Sequence, residues 1–102
     1  MITYNKLVRD KIPQIIKESG KEFEVRIASS EEKKQLLEKK LLEEVNEYVE
    51  DKNLLELADV MEVLFGLADS LGYSEEELIA MREKRRAERG GFKEGIVLQW
   101  VK

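Results

Sequence analysis

A chain of 102 residues with 42% hydrophobic and 39% charged residues, one proline and a net charge of -4 has the size of one small domain, taken as 1–102, and the make-up of a soluble, helix-rich globule. It has no cysteine and no histidine, which excludes disulfides, thiolate metal sites, the usual zinc ligand and every Ser-His or Cys-His nucleophile pair. No apolar run approaches the roughly 20 residues that cross a bilayer, the opening MITYNKLVRDKIP has no apolar signal core, and the acidic balance gives no pull toward a nucleic acid polymer, so a cytoplasmic protein away from membranes is expected.

The first predicted helix lies within Asp10 to Ser19, where Ile12, Ile15 and Ile16 fall at helical spacing, Pro13 sits in a tolerated first turn and Gly20 can end it. KEFEVRIAS then alternates, with Phe23, Val25 and Ile27 on one face and Glu22, Glu24 and Arg26 on the other, the pattern of a short half-buried strand. Ser29 with Glu32 reads as a capping box opening a long helix to about Asp51. Asn53 is the expected cap of a second long helix ending near Leu71-Gly72. Ser74 with Glu77 opens a third, which runs to about Arg89 and stops at Gly90-Gly91. Ile96, Val97, Leu98, Trp100 and Val101 read as a closing strand. Two short strands near 22–28 and 96–101 are expected to pair, because an isolated strand leaves its backbone groups unsatisfied. The expected fold is mainly all-α: an antiparallel helix bundle completed by oligomerisation, with a small two-stranded β element.

At about 100° per residue, Leu37, Leu41, Val45 and Tyr48 make the apolar stripe of the first long helix, widened by Leu42 and Val49. Glu44 and Glu47 fall on the flank of that stripe, whereas Glu43 and Asn46 point away. On the second helix Leu57, Val60, Met61, Leu64, Leu67, Ala68 and Leu71 form the stripe, with Val63 and Phe65 at its margins. Glu56 falls inside that arc and Asp59 at its border, whereas Glu62 and Asp69 face the opposite way. Glu44-x-x-Glu47 and Glu56-x-x-Asp59 each have i, i+3 spacing, so a tight turn near Asp51 to Asn53 would bring four carboxylates together. Such charges repel, and buried charges are paired or hold a metal. With only oxygen ligands on offer that metal is hard: Mg2+, or Mn2+ as its substitute, and magnesium usually engages phosphate oxygens. The plainer alternative is a solvated acidic face, with Glu56 serving the helix N-terminus three residues after Asn53.

These acids, Glu43-Glu44-Val45-Asn46-Glu47 followed by Glu56-Leu57-Ala58-Asp59, together with the opening TYNKLVRDKIPQII and the late KRRAERGGF, resemble the MazG-like all-α nucleotide pyrophosphohydrolases over nearly the whole chain. That superfamily includes phosphoribosyl-ATP pyrophosphohydrolase and the dimeric dUTPases; the interval between the two acid motifs here is short compared with many relatives. The resemblance implies that Glu44, Glu47, Glu56 and Asp59 coordinate magnesium. It also implies that a water attacks at the α–β junction of a nucleoside triphosphate, non-standard or surplus, releasing monophosphate and pyrophosphate. Glu44 and Glu47 are the expected catalytic pair, with Glu47 as the carboxylate that takes the proton.

A phosphorylated substrate needs donors. Lys84, Arg85, Arg86, Arg89 and Lys93 cluster where the third long helix meets Gly90-Gly91-Phe92. Lys84, Arg86 and Arg89 are taken as substrate-binding, against the simpler view of cations favoured by a helix C-terminus. Lys6 and Arg9 join them from the N-terminal segment, with Asn5 as a base-edge candidate, although Arg9 equally suits a structural ion pair with an acid. Tyr4, Tyr48, Phe92 and Trp100 are stacking candidates, a role rarer for aromatics than core packing.

Both long helices carry apolar arcs broader than one short chain can cover, so a homodimer or tetramer is expected. Two alternatives stand beside the nucleotide hydrolase: a non-catalytic helical module that binds a nucleotide or a protein, and phosphoribosyl-ATP hydrolysis in histidine synthesis.

Overall fold

Local capping fixes the helices. In the computed structural model, which describes residues 2–102, the chain forms α1 (Ile12–Glu18), α2 (Ser30–Asp51), α3 (Leu54–Ser70) and α4 (Glu75–Arg89). The Ser29 hydroxyl accepts the Glu32 N–H at 3.1 Å, Asn53 Oδ1 accepts the Glu56 N–H at 2.9 Å, and Ser74 and Glu77 close a reciprocal capping box. The box expected at Ser29 forms only by half. The Glu32 carboxylate turns instead to Arg26, which donates to it from Nη1 and Nη2 at 2.6 and 2.7 Å.

The reversal between α2 and α3 takes two residues. Lys52 adopts a left-handed conformation (φ 51), which lets its N–H bond the Tyr48 carbonyl at 2.7 Å while its Nζ bonds the Val49 carbonyl at 2.7 Å. Asn53 then starts α3. The two helices run antiparallel as a hairpin, with Leu37 of α2 seated against Gly66 of α3. A Cβ at Gly66 would stand 3.1 Å from Leu37 Cδ2, so glycine permits the close approach there. α4 packs against α3 alone.

The hairpin seam is not the one that apolar patterning foretells. On α2 the inward line is Leu37, Leu41, Glu44 and Tyr48, while Val45, Leu42 and Val49 are open to solvent. On α3 the flank carrying Glu56, Asp59, Val60 and Val63 meets α2, with Val63 buried at 5% exposure. Leu57, Met61, Leu64 and Leu71, the middle of the expected stripe, face outward; of that stripe only Ala68 is fully buried. An apolar arc this broad meets one helix with one edge and leaves the rest uncovered.

A further expectation is corrected. No strand forms among the described residues: 21–29 and 95–102 lie outside regular structure, and no backbone hydrogen bond joins them. Alternation gives each segment a face but not a neighbour, and the nearer one is tied to α2 by Arg26 instead. Of the expected bundle the single chain shows the α2–α3 hairpin with α4 against α3, and it stays open. Its radius of gyration is 17.9 Å, against about 13 Å for a compact domain of this length. Its accessible surface is 9639 Å2, against about 5,900 Å2 for a self-contained monomer of 11.9 kDa. No helix among the described residues is long and apolar enough to cross a membrane.

Candidate metal centre

The turn at Lys52-Asn53 places the end of α2 beside the start of α3, and the acids of both helices face one another just beyond it. One carboxylate oxygen each from Glu44, Glu56 and Asp59 lies within 4.8 Å of the other two. Oxygens sharing one octahedral magnesium at about 2.1 Å are about 3.0 to 4.2 Å apart, so slight side-chain rotation would bring the three onto a single ion. Glu44 is the one buried charged residue among those described, at 8% exposure. Its Oε2 and the Oε2 of Glu56 are both sealed from solvent without a hydrogen-bond partner. Two orphaned anionic oxygens in one place are costly unless a cation meets them, and an all-carboxylate donor set suits a hard one.

The electrostatics agree. Burial pushes the Glu44 carboxyl above its ordinary value, the Glu47 charge adds to the rise, and Lys40 partly opposes it. Desolvation also raises Glu56, followed by repulsion from Glu47, Asp51, Asp59 and Glu44. The capping role open to Glu56 in the sequence is not the one its side chain takes: Asn53 receives its backbone N–H, and its carboxylate turns into the cage.

Glu47 is exposed and stands outside the set of three close oxygens, but within reach of a hydrogen bond to Glu44 once either carboxyl is protonated. Glu43 is half-buried beside Lys39 and Lys40, on another side of α2. Two cations border the cage. Lys40 Nζ lies 3.5 Å from Glu44 one helical turn on, and Arg9 Nη2 donates to Asp59 Oδ1 at 2.6 Å. Arg9 thus forms a structural ion pair, holding the N-terminal segment to α3 and leaving Oδ2 of Asp59 outside that bond.

The other basic residues divide between two places. Arg86 and Arg89 line an open groove at the C-terminal end of α4 together with Arg82, Arg85 and Phe92, the last 98% exposed. Lys84 is exposed and lies outside that lining, and Lys93 is likewise exposed. Lys6 lines a separate cleft with Asn5, Lys39 and Lys40. Sequence reasoning did not single out Lys39 or Lys40; the i, i+4 spacing of Lys40 and Glu44 was the available signal. Tyr48 is half-buried, and Tyr4 and Trp100 are exposed. Comparison of the chain with protein-family models, curated proteins and solved structures finds no match.

Proposed function

We propose that this chain is a magnesium-dependent nucleotide pyrophosphohydrolase that cleaves nucleoside triphosphates, non-standard or surplus, to monophosphate and pyrophosphate in the cytoplasm. The carrying observation is the cage itself: three carboxylate oxygens within 4.8 Å of one another, on acids two of which bury an oxygen without a hydrogen-bond partner. The resemblance of the acid motifs and of both chain ends to the MazG-like enzymes gives the reaction. Glu44, Glu56 and Asp59 would hold the ion, with Arg9 orienting Asp59 from behind. Held by these carboxylates, magnesium would supply charge neutralisation for the phosphates and activation of a water. Glu47, open to solvent at the rim, accepts the proton of the attacking water on a carboxylate oxygen. Lys6 and the Arg86 and Arg89 groove are the donors available to the phosphates.

The same reading includes self-association. The surface in excess of a compact monomer, about 3,700 Å2, is well above the roughly 800 Å2 per partner of a standard interface. Much of it is apolar and continuous along α3 through Leu57, Met61, Leu64 and Leu71. A homodimer, or a tetramer built from two, would cover it.

The test is to incubate the protein with a panel of nucleoside triphosphates and magnesium and to separate the products by chromatography. Monophosphate with pyrophosphate is expected. Diphosphate with orthophosphate, or no turnover of any nucleotide, would reject the assignment.

A further inference from the structure

The N-terminal segment does more than cross the hairpin: it walls one side of a cleft on α2. Leu7 and Leu36 give this cleft an apolar floor, and Asn5, Lys6, Lys39, Lys40 and Glu43 supply its polar rim. Three lysines against one glutamate leave it net positive in a chain whose overall charge is negative. Among the described residues neither Lys6 nor Lys39 has an ion-pair partner, so both ammonium groups are available to an anion. The free space of about 20 Å3 takes one water-sized group, the size of a single phosphate oxygen entering from the mouth. Lys40 joins the cleft to the acidic cage, since its Nζ is 3.5 Å from Glu44. The arginine groove of α4 shares no residue with the cage or with this cleft.

We propose that the Lys6, Lys39 and Lys40 cleft is an anion subsite that receives an oxygen of a non-reacting phosphate of the substrate at its mouth, next to the cage that would take the reacting one. This rests on the hydrolase reading for the identity of the substrate, but not for the binding of an anion. An alternating arrangement of anionic cage and cationic cleft suits a ligand that is itself a chain of phosphates bridged by a cation. Asn5, in a left-handed backbone conformation (φ 47), sits at the same rim and offers an amide to the same group.

The experiment uses inorganic pyrophosphate as the probe, without divalent metal and with chelator present, measured by titration calorimetry. Wild type should bind it, and Lys6→Ala with Lys39→Ala together should weaken binding by about tenfold or more, as expected for losing charge-assisted hydrogen bonds. The single substitution Lys17→Ala, at an exposed cation outside the cleft, should leave that binding unchanged. Circular dichroism of each variant checks that the helices persist. In turnover assays with magnesium, the lysine pair should raise KM by a similar factor with kcat largely kept. Binding unaffected by the paired lysine substitutions, binding weakened as much by Lys17→Ala, or no binding at all overturns the subsite. Weakened pyrophosphate binding with unchanged KM overturns its role in holding substrate. Lysine-dependent binding in a protein that turns over no nucleotide leaves the anion cleft standing and removes the hydrolase reading alone.

Discussion

Replacing Glu44 by glutamine keeps the shape of the side chain and removes one charge from a crowded, poorly hydrated place. Its neighbours' oxygens lie within 4.8 Å, where two unit charges repel by about 3.5 kcal/mol at an effective dielectric of 20 and by about 0.9 kcal/mol in bulk water. Arg9 cancels much of the Asp59 share, and Lys40 at 3.5 Å returns something, although helix-surface pairs of that spacing contribute less than about 1 kcal/mol. The glutamine also avoids the desolvation of a buried carboxylate and gains an N–H donor for the orphaned acceptors nearby. The net expectation is that metal-free Glu44→Gln is more stable than wild type by about 1–3 kcal/mol at neutral pH, a rise in Tm of about 5–15 °C for a domain of this size. Magnesium should shrink that difference and, toward the lower end of the range, reverse it. An ion at a hundred times its Kd adds about 2.7 kcal/mol to the protein that binds it, and the variant forfeits most of that gain. Differential scanning fluorimetry at one fixed protein concentration, with chelator and then with a magnesium series, reads both halves. A variant that melts below wild type without metal, or a magnesium response equal in the two proteins, would refute the reasoning.

Further predictions follow from the cage's titration and from the open face of α3. Because Glu44 and Glu56 are raised in the folded state, the native protein binds more protons than the unfolded chain above the ordinary carboxylate value of 4.5. Their contribution therefore declines as pH rises from about 4.5 through the raised values. Metal-free wild type should lose Tm over that range relative to a Glu44→Gln, Glu56→Gln double variant, and a flat or opposite difference curve would contradict the burial of these acids. Met61→Lys puts a charge in the middle of the outward arc of α3 without touching the α2 seam. Sedimentation should show a lighter species with helix content retained, and an unchanged sedimentation coefficient would exclude that face as the contact between copies.

What was legible in the chain was local. Ser29, Asn53 and Ser74 announce the helices that start at the next residue, because a cap and the N–H it accepts are three residues apart in sequence. The paired acids were legible for the same reason, since i, i+3 spacing fixes one face and a two-residue turn fixes the meeting of two such faces. The facing of α3 was not, because a helix apolar over most of its circumference does not declare which edge its partner takes; the edge with Glu56 and Val63 won, and the centre stayed open. Strand pairing was misread at 22–28 and 96–101, since alternation specifies sides and not neighbours. Arg9 was recognisable as half of an ion pair, but its other half, Asp59, lies 50 residues away and only the fold brings it near.

The seat of Leu37 on Gly66 bears on the cage from a distance. The hairpin is pinned at both extremities: at one by the reversal through Lys52, at the other by this contact, with Glu44, Glu56 and Asp59 held between. It works like a pair of callipers. A methyl group added at residue 66 would meet Leu37 Cδ2 at 3.1 Å, so that the leucine side chain has to give by a few tenths of an ångström or the jaws part by as much. A hydrogen atom at position 66 therefore lets the two helices lie at the spacing along which the three carboxylates meet.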